Sequence, residues 1–278
     1  MTQSLLMCSP QYFDVQYVIN PWMAGQIGKV NPSQARREWS EFYNTVAGLA
    51  NVKLIEPQPH VPDMVFTANA GLLRGKTFLP SRFRYDQRRP EEPCFKSWFE
   101  SNGYRIVELP GDLRFEGAGD ALFQPNGNVL WAAYGFRSDR QAHDVLANLY
   151  GIKVISLRLI NPRFYHLDTC FCPLLANRVM YYPAAFDPAS VKLIEKYSEN
   201  NITVSDEDAG HFACNAVLAG KTLVMSHPSP DLKLRLEQAG YLVMTAPVPE
   251  FLKAGGANKC LTMTLDDPFE AENLKHAA

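Results

Sequence analysis

At 278 residues, with 46% hydrophobic and 20% charged residues, the chain has the composition of a globular protein long enough to bury a core unaided, not of a disordered or fibrous one. Its 27 Lys and Arg stand against 29 Asp and Glu, a formal charge of -2, so it lacks the basic excess that a phosphate backbone recruits, and nucleic acid is not expected as a main partner. No window approaches the roughly 18–20 apolar residues of a membrane span, and the opening MTQSLLMCSPQYFDVQ has neither a basic leader nor an apolar signal core. The sequence therefore reads as cytoplasmic, with no membrane partner. Six Cys at 8, 94, 170, 172, 214 and 260 show no disulfide-framework spacing, which fits a reducing compartment.

Along the chain, an apolar strand SLLMCSP at 4–10 is followed by a second, NVKLIEP, at 51–57. Four hairpin-like stretches then begin at Phe66, Gly117, His166 and Ala213, about 50 residues apart. In each, an apolar run meets a turn signal (RGK, NGN, AN or AGK) and continues into another apolar run. Helix-permissive segments follow, each ending in an apolar strand read as buried: GYRIVELP, GIKVISL, NITVSD and GYLVMTAPV. A fifth hairpin is needed to match, and only KCLTMTL at 259–265 and SLLMCSP remain to form it. The expected architecture is an α/β ring of five ββαβ units with pseudo-fivefold symmetry, its last unit closed by the N- and C-terminal strands, and with the cleft on the axis. An open α/β sheet with coincidentally similar strands is the alternative. Residues 1–268 are expected to form one domain, and the polar stretch 269–278 to be a tail, with a linker to a further domain left open. Nothing matches a dinucleotide fingerprint or a phosphate loop, since GQIGK at 25–29 lacks the spacing, so no cofactor is expected.

Corresponding positions of such units face the same axis. The polar residues at the hairpin starts are Asp63 and Asn69, Glu116 and Asp120, His166 and Asp168, Asn215, and Cys260. Core packing does not explain them, because an unpartnered buried carboxylate costs several kcal/mol. A lone buried Cys is usually a packed hydrophobe, but Gly255, Gly256 and Ala257 ahead of Cys260 would let a substrate approach the backbone. His166, with Asp168 two residues on along one strand face and Glu116 in the neighbouring unit, reads as an oriented acid/base. The alternation His166, Asp168, Cys170, Cys172 also offers ligands to a zinc ion, yet four same-face residues in a row span too far to converge on one ion, and no metal is expected. His211 and His227 could rim the cleft but have no adjacent acid at catalytic spacing.

With FEGAGDAL at 115–122, HLDTCF at 166–171 and a Cys in the last strand, the sequence resembles the guanidino-group-modifying enzyme superfamily, whose fold is the five-bladed α/β propeller called pentein. The resemblance runs in order over essentially the whole chain. The family's Glu-Gly-Gly-Asp appears one residue longer, as Glu116-Gly117-Ala118-Gly119-Asp120, which leaves Asp120 less secure than Glu116. Deiminases show Phe-Thr-Arg-Asp at the first hairpin; here Phe66-Thr67-Ala68-Asn69 looks like the arginine dihydrolases, which release ornithine. Citrulline-forming hydrolases (arginine deiminase or dimethylarginine dimethylaminohydrolase), amidinotransferases and a non-catalytic arginine-binding module are the alternatives.

The resemblance implies a small-molecule substrate, L-arginine or a guanidine analogue, and leaves a homo-oligomer open. A planar, cationic guanidinium needs carboxylates for its N–H groups and a soft nucleophile at its carbon. Asp168 and Glu116 would supply the first and Cys260 the second, with His166 protonating the leaving amine and then activating water. For the α-carboxylate an Arg fork suits: Arg137 stands at the spacing of the substrate-binding Arg of dimethylarginine hydrolases, and Arg88 is chosen from Arg84, Arg88 and Arg89. Asn20 would join them at the cleft mouth, and Asn69 and Asp120 complete the binding set.

Overall fold

The computed structural model describes residues 3–125 and 129–266; the NGN turn at 126–128 and the tail at 269–278 lie outside the described residues. From the N-terminus the elements are β1 (Ser4–Cys8), α1 (Pro32–Ala47) and β2 (Asn51–Ile55). Next come β3 (Gly71–Arg74), β4 (Thr77–Pro80), α2 (Glu91–Ser101) and β5 (Arg105–Ile106). The following unit holds β6 (Ala121–Phe123), β7 (Val129–Tyr134), α3 (Ala142–Tyr150) and β8 (Lys153–Arg158). Another holds β9 (Phe171–Pro173), β10 (Val179–Tyr181), α4 (Pro188–Tyr197) and β11 (Ile202–Thr203). The last stretch carries α5 (Asp206–Gly210), β12 (Val217–Ala219), β13 (Thr222–Met225), α6 (Pro230–Gln238), β14 (Leu242–Thr245), α7 (Pro249–Leu252) and β15 (Met263–Thr264).

Among the described residues these strands make five three-stranded sheets, each with an antiparallel hairpin and a third strand added in parallel. In the sheet β15-β1-β2 the hairpin partner comes from the far end of the chain: Leu5 pairs with Thr264 and Leu6 with Met263. The hairpin turn at Ala176-Asn177 has both central residues at positive φ, the mirror-image turn whose twist matches paired strands. Helices α1, α4 and α6 start alike, on a capping side chain (Asn31, Asp187, Ser229) followed by Pro at the first helical position. Along α1, Ala35, Glu38, Trp39, Phe42 and Val46 form the buried stripe.

The third strands are only partly buried, Ile155 and Leu157 of β8 and Ile55 of β2 facing the core, whereas their apolar sequences suggest burial throughout. They are the outer edge of each sheet, β5 and β11 are two residues long, and Leu54, Leu242 and Met244 are exposed. The hairpin strands carry the core instead, with Leu5, Leu6, Phe78, Leu79, Leu130, Trp131, Leu223 and Val224 fully buried.

A short turn enters the first strand of successive units: Thr67–Ala70 before β3, Gly117–Gly119 before β6 and Leu167–Thr169 before β9. Each entrance is tied to the next. Asn69 Nδ2 donates to the Glu116 carbonyl (3.1 Å) and the Leu167 amide to Asp120 (3.3 Å). Asn215 Nδ2 donates to the Asp168 carbonyl (2.9 Å), the Cys260 amide to Asn215 Oδ1 (3.1 Å) and the Ala68 amide to the Cys260 carbonyl (3.1 Å).

Candidate active site

Cys260 lies between α7 and β15, with its side chain buried. The loop needs its glycines. A Cβ on Gly256 would sit 2.6 Å from the Phe66 ring, and Gly255, at φ +83, has the Tyr165 hydroxyl and Asn20 Oδ1 where a Cβ would go. The sulfur has two polar neighbours, Asn215 Nδ2 at 3.1 Å, which donates to it, and Asp168 Oδ2 at 3.3 Å, which accepts from the thiol. Burial, then the Asp168 carboxylate, push the thiol well above its ordinary value. Burial also raises Asp168, to about 6, against the opposing pull of Lys259, Cys260 and Asn215.

A second cluster is built on Glu116. Its Oε2 accepts from His166 Nε2 (2.7 Å) and from Arg137 Nη1 (2.9 Å), and its Oε1 from the Arg84 amide (3.1 Å). Burial alone would raise this carboxyl, but Arg137 and then His166 outweigh it and hold it far below the usual carboxylate range. Burial pushes His166 down to about 4 despite Glu116, so the ring is neutral at neutral pH. Arg137 also donates to the Ile19 carbonyl and is sandwiched between the Tyr85 and Tyr165 rings.

Arg88 forms a two-point pair with Glu91 (2.7 Å at both contacts) and gives Nη1 to Asn69 Oδ1 (2.9 Å). With its oxygen on Arg88 and its nitrogen on the Glu116 carbonyl, the Asn69 amide is oriented from both ends. Asp63, on the turn Pro62–Val65, accepts from the Tyr17 hydroxyl (2.9 Å).

These groups surround a small cavity lined by Asp63, Asn69, Arg88, Arg137, Tyr165 and Cys260, with Asn20, Phe66 and Gly256 among its remaining walls. Two carboxylate oxygens, Asp63 Oδ1 and Asp168 Oδ1, are buried without a hydrogen-bond partner. Such atoms are costly unless something supplies donors to them.

The sequence-level set is therefore brought together, with corrections. Leu167–Thr169 is a helical turn, so His166 and Asp168 do not share a strand face; of the two acids expected beside His166, Glu116 bonds it and Asp168 meets Cys260 instead. For the same reason His166, Asp168, Cys170 and Cys172 do not alternate along one strand, and among the described residues no group of three His, Cys, Asp or Glu is placed to hold a metal. Glu116 accepts from His166, Arg137 and the Arg84 amide and, like His166 and Asp168, is not among the residues that line the cavity. Asp120 likewise stands behind the wall, bonded to Ser138 and the Leu167 amide. Asn20 reaches the cavity while capping the turn Pro21–Met23 and donating to the Ala254 carbonyl. His211 and His227 are exposed, and their rings meet at a tilt. Sequence reasoning gave no role to Asp63 or Asn215, although both appear among the polar residues at the hairpin starts, and it passed over Tyr165 and Tyr17, which carry no spacing signal.

A family model for eukaryotic N,N dimethylarginine dimethylhydrolase matches residues 17–266. The chain is 50% identical over 267 residues to the bifunctional arginine dihydrolase/ornithine cyclodeaminase ArgZ of Synechocystis sp., covering 95% of this chain and 38% of ArgZ. It is 37% identical over 265 residues to the N(G),N(G)-dimethylarginine dimethylaminohydrolase of Mycobacterium tuberculosis, covering 95% of this chain and 86% of that protein. Among solved structures, the N-terminal domain of an ArgZ cysteine-to-serine mutant bound to substrate is similar with a TM-score of 0.94 at 49% identity, covering 95% of this chain and 98% of that one. The chain thus spans 38% of the length of the curated bifunctional relative it matches.

Proposed function

The chain belongs to the N,N dimethylarginine dimethylhydrolase family, and from that membership and the donor and acceptor set of the cavity we propose that it is an arginine dihydrolase, converting L-arginine to ornithine, ammonia and carbon dioxide through Cys260. The observation that carries this reading is the pair of buried, unpartnered carboxylate oxygens: Asp63 Oδ1, on a residue that lines the Cys260 cavity, and Asp168 Oδ1, on a residue whose other oxygen accepts from the Cys260 thiol. A guanidinium brings planar N–H donors and a positive charge to both, and that charge also favours ionisation of the neighbouring thiol.

In the proposed reaction the Cys260 thiolate adds to the guanidinium carbon. The proton lost by the Cys260 thiol passes to the neutral His166 ring, which gives it to the departing ammonia; water, deprotonated in turn by His166, then displaces the sulfur to give citrulline. Citrulline is retained and turned, the thiolate adds to its ureido carbon, and the ornithine δ-nitrogen departs protonated. Hydrolysis of the resulting carbamoyl thioester releases carbamate, which falls apart to ammonia and carbon dioxide. Glu116 holds the His166 ring, and Arg137 or Arg88 meets the α-carboxylate in a two-point contact. Of the two, Arg137 has no two-point carboxylate partner of its own, which favours it. The 50% identity to ArgZ and Asn69 at the cavity favour ornithine as product; the family model and the mycobacterial relative favour the second reading, a citrulline-forming hydrolase. Chromatography of the amino acid made from arginine separates them: ornithine with about two equivalents of ammonia is expected, whereas citrulline with one moves the chain to the second class.

The proposal includes a single catalytic domain over residues 1–268 whose five sheets close into a five-bladed propeller. The five entrance-to-entrance hydrogen bonds support it, since they lead from each unit to the next and return to the first. It also includes a cytoplasmic setting, which the six free cysteines support. Among the described residues no helix is long and apolar enough to cross a membrane.

A further inference from the structure

We propose that Asn215 is a thiolate-stabilising residue, one side-chain N–H being aimed at the Cys260 sulfur while the other three hydrogen-bonding positions of the same amide lock it in place. The inference rests on the cysteine-nucleophile reading above and adds a group to it.

Asn215 is fully buried. A primary amide has two donor hydrogens and two acceptor lone pairs, and here all four are used. Nδ2 donates to the Asp168 carbonyl at 2.9 Å and to Cys260 Sγ at 3.1 Å. Oδ1 accepts from the amides of Ala257 and Cys260, both at 3.1 Å. These partners settle which end of the amide is which. A flipped side chain would set an NH2 against two backbone N–H groups and an oxygen against a carbonyl. The residue's backbone carbonyl also accepts from the Lys259 amide at 3.2 Å, so Asn215 fixes both the loop that presents the thiol and the thiol itself.

The two polar neighbours of the sulfur act in opposite senses. Asp168 accepts from S–H and repels S⁻, so it favours the neutral thiol. An N–H donor gains when the sulfur becomes an anion, so Asn215 favours the thiolate. In a site closed to water such a fixed donor needs no reorganisation when charge appears. The same N–H meets the sulfur each time it leaves as a thiolate. The other charged or titratable groups near the thiol are Lys259 and Tyr165, with Asp63, Arg88 and Arg137 across the cavity. None of these donates a hydrogen bond to the sulfur.

The test is alkylation of the full chain by iodoacetamide between pH 6 and 10, followed by mass spectrometry of the peptide carrying Cys260. For Asn215→Ala the line of log rate against pH should move to higher pH by about one unit. Alkylation at neutral pH then slows by about three- to tenfold, because a tenfold loss of thiolate is partly offset by its greater nucleophilicity. A folded Asn215→Ala whose profile superimposes on the wild type overturns the proposal. If that variant does not fold, the native protein decides: the Asn215 side-chain ¹⁵N–¹H signals should titrate with the Cys260 alkylation profile and lose that step in Cys260→Ser. Signals that stay flat while the thiol ionises overturn it. Neither readout involves arginine. A chain that fails the ornithine test can still show the shift, and one that makes ornithine can still lack it.

Discussion

Replacing Glu116 by Gln changes one atom and one charge at the centre of the His166 and Arg137 cluster. The carboxylate is fully buried, and its oxygens receive N–H donors from His166, Arg137 and the Arg84 backbone. An amide has only one acceptor oxygen. If its NH2 takes the place of Oε2, it faces the donors of His166 and Arg137; if it takes the place of Oε1, it faces the Arg84 amide. Either orientation opposes donors, at roughly 1–3 kcal/mol, and leaves the Arg137 guanidinium, 2% exposed, without its counter-ion. Breaking a buried pair from one side costs about 3–5 kcal/mol. For a chain of this size that corresponds to a melting temperature lower by roughly 6–20 °C. With the His166 ring no longer held, arginine turnover should fall at least ~10²-fold, the usual worth of a positioned proton-transfer group. Calorimetry and ammonia release on the same preparation measure both. A variant that melts within about 2 °C of the wild type and turns over within a few-fold of it would refute the assignment of Glu116 as the group that holds His166 and Arg137.

Cys260→Ser should abolish ammonia release while arginine still binds, as read by calorimetric titration; undiminished release would remove the covalent mechanism. Asn69→Asp sets a carboxylate oxygen against the Glu116 carbonyl and removes the N–H available to a neutral ureido oxygen, so the product should shift from ornithine towards citrulline with the first step retained. A variant still making only ornithine would end that role for Asn69. Asp168 is held at about 6 against an ordinary 3.8 by burial first, so the folded state binds its proton more tightly than the unfolded chain does. Its stability contribution is therefore full below 3.8 and lost as pH rises through about 6. Asp168→Asn should thus stabilise the ligand-free protein by about 1–3 kcal/mol at neutral pH, with the two melting curves converging at low pH, and should lose arginine binding. In the wild type, kcat/KM for arginine should fall as pH drops below about 6; a profile flat through that range would contradict Asp168 as the ionised contact.

The repeat of strand, turn and strand was legible because hairpin chemistry is local: RGK, AN and AGK sit at the turns that join the observed hairpin strands. The pairing of the two chain ends could be reached by counting, since five third strands needed five hairpins. Burial of the third strands was misread because GYLVMTAPV and NVKLIEP are apolar in sequence yet lie at sheet edges, where Leu242 and Leu54 face outward. Of the two acids expected beside His166, Glu116 was read correctly and Asp168 was not, because a helical turn has no apolar signature in three residues and LDT reads as strand when its neighbours do. Arg88 stood in a segment with the look of a solvated loop, RFRYDQRRPEE; only the tertiary position of Glu91 and Asn69 reveals it as buried. Asp63 and Asn215 were visible as polar residues at hairpin starts, but their roles depend on which atoms they meet across units, and no one-dimensional spacing encodes that.

The sheet built from both ends of the chain has a consequence for biosynthesis. Leu5 leaves the ribosome about 260 residues ahead of Thr264, the residue it pairs with. Until then β1 and β2 offer an open edge, and the long loop between the partners makes this a late, entropically costly contact. Two residues separate Cys260 from β15, so the nucleophile reaches Asp168 and Asn215 only when that strand is made. A chain cut short before Cys260 can carry the Asp63, Glu116 and His166 side chains and still leave arginine untouched, so turnover itself would report that β15 has docked on β1.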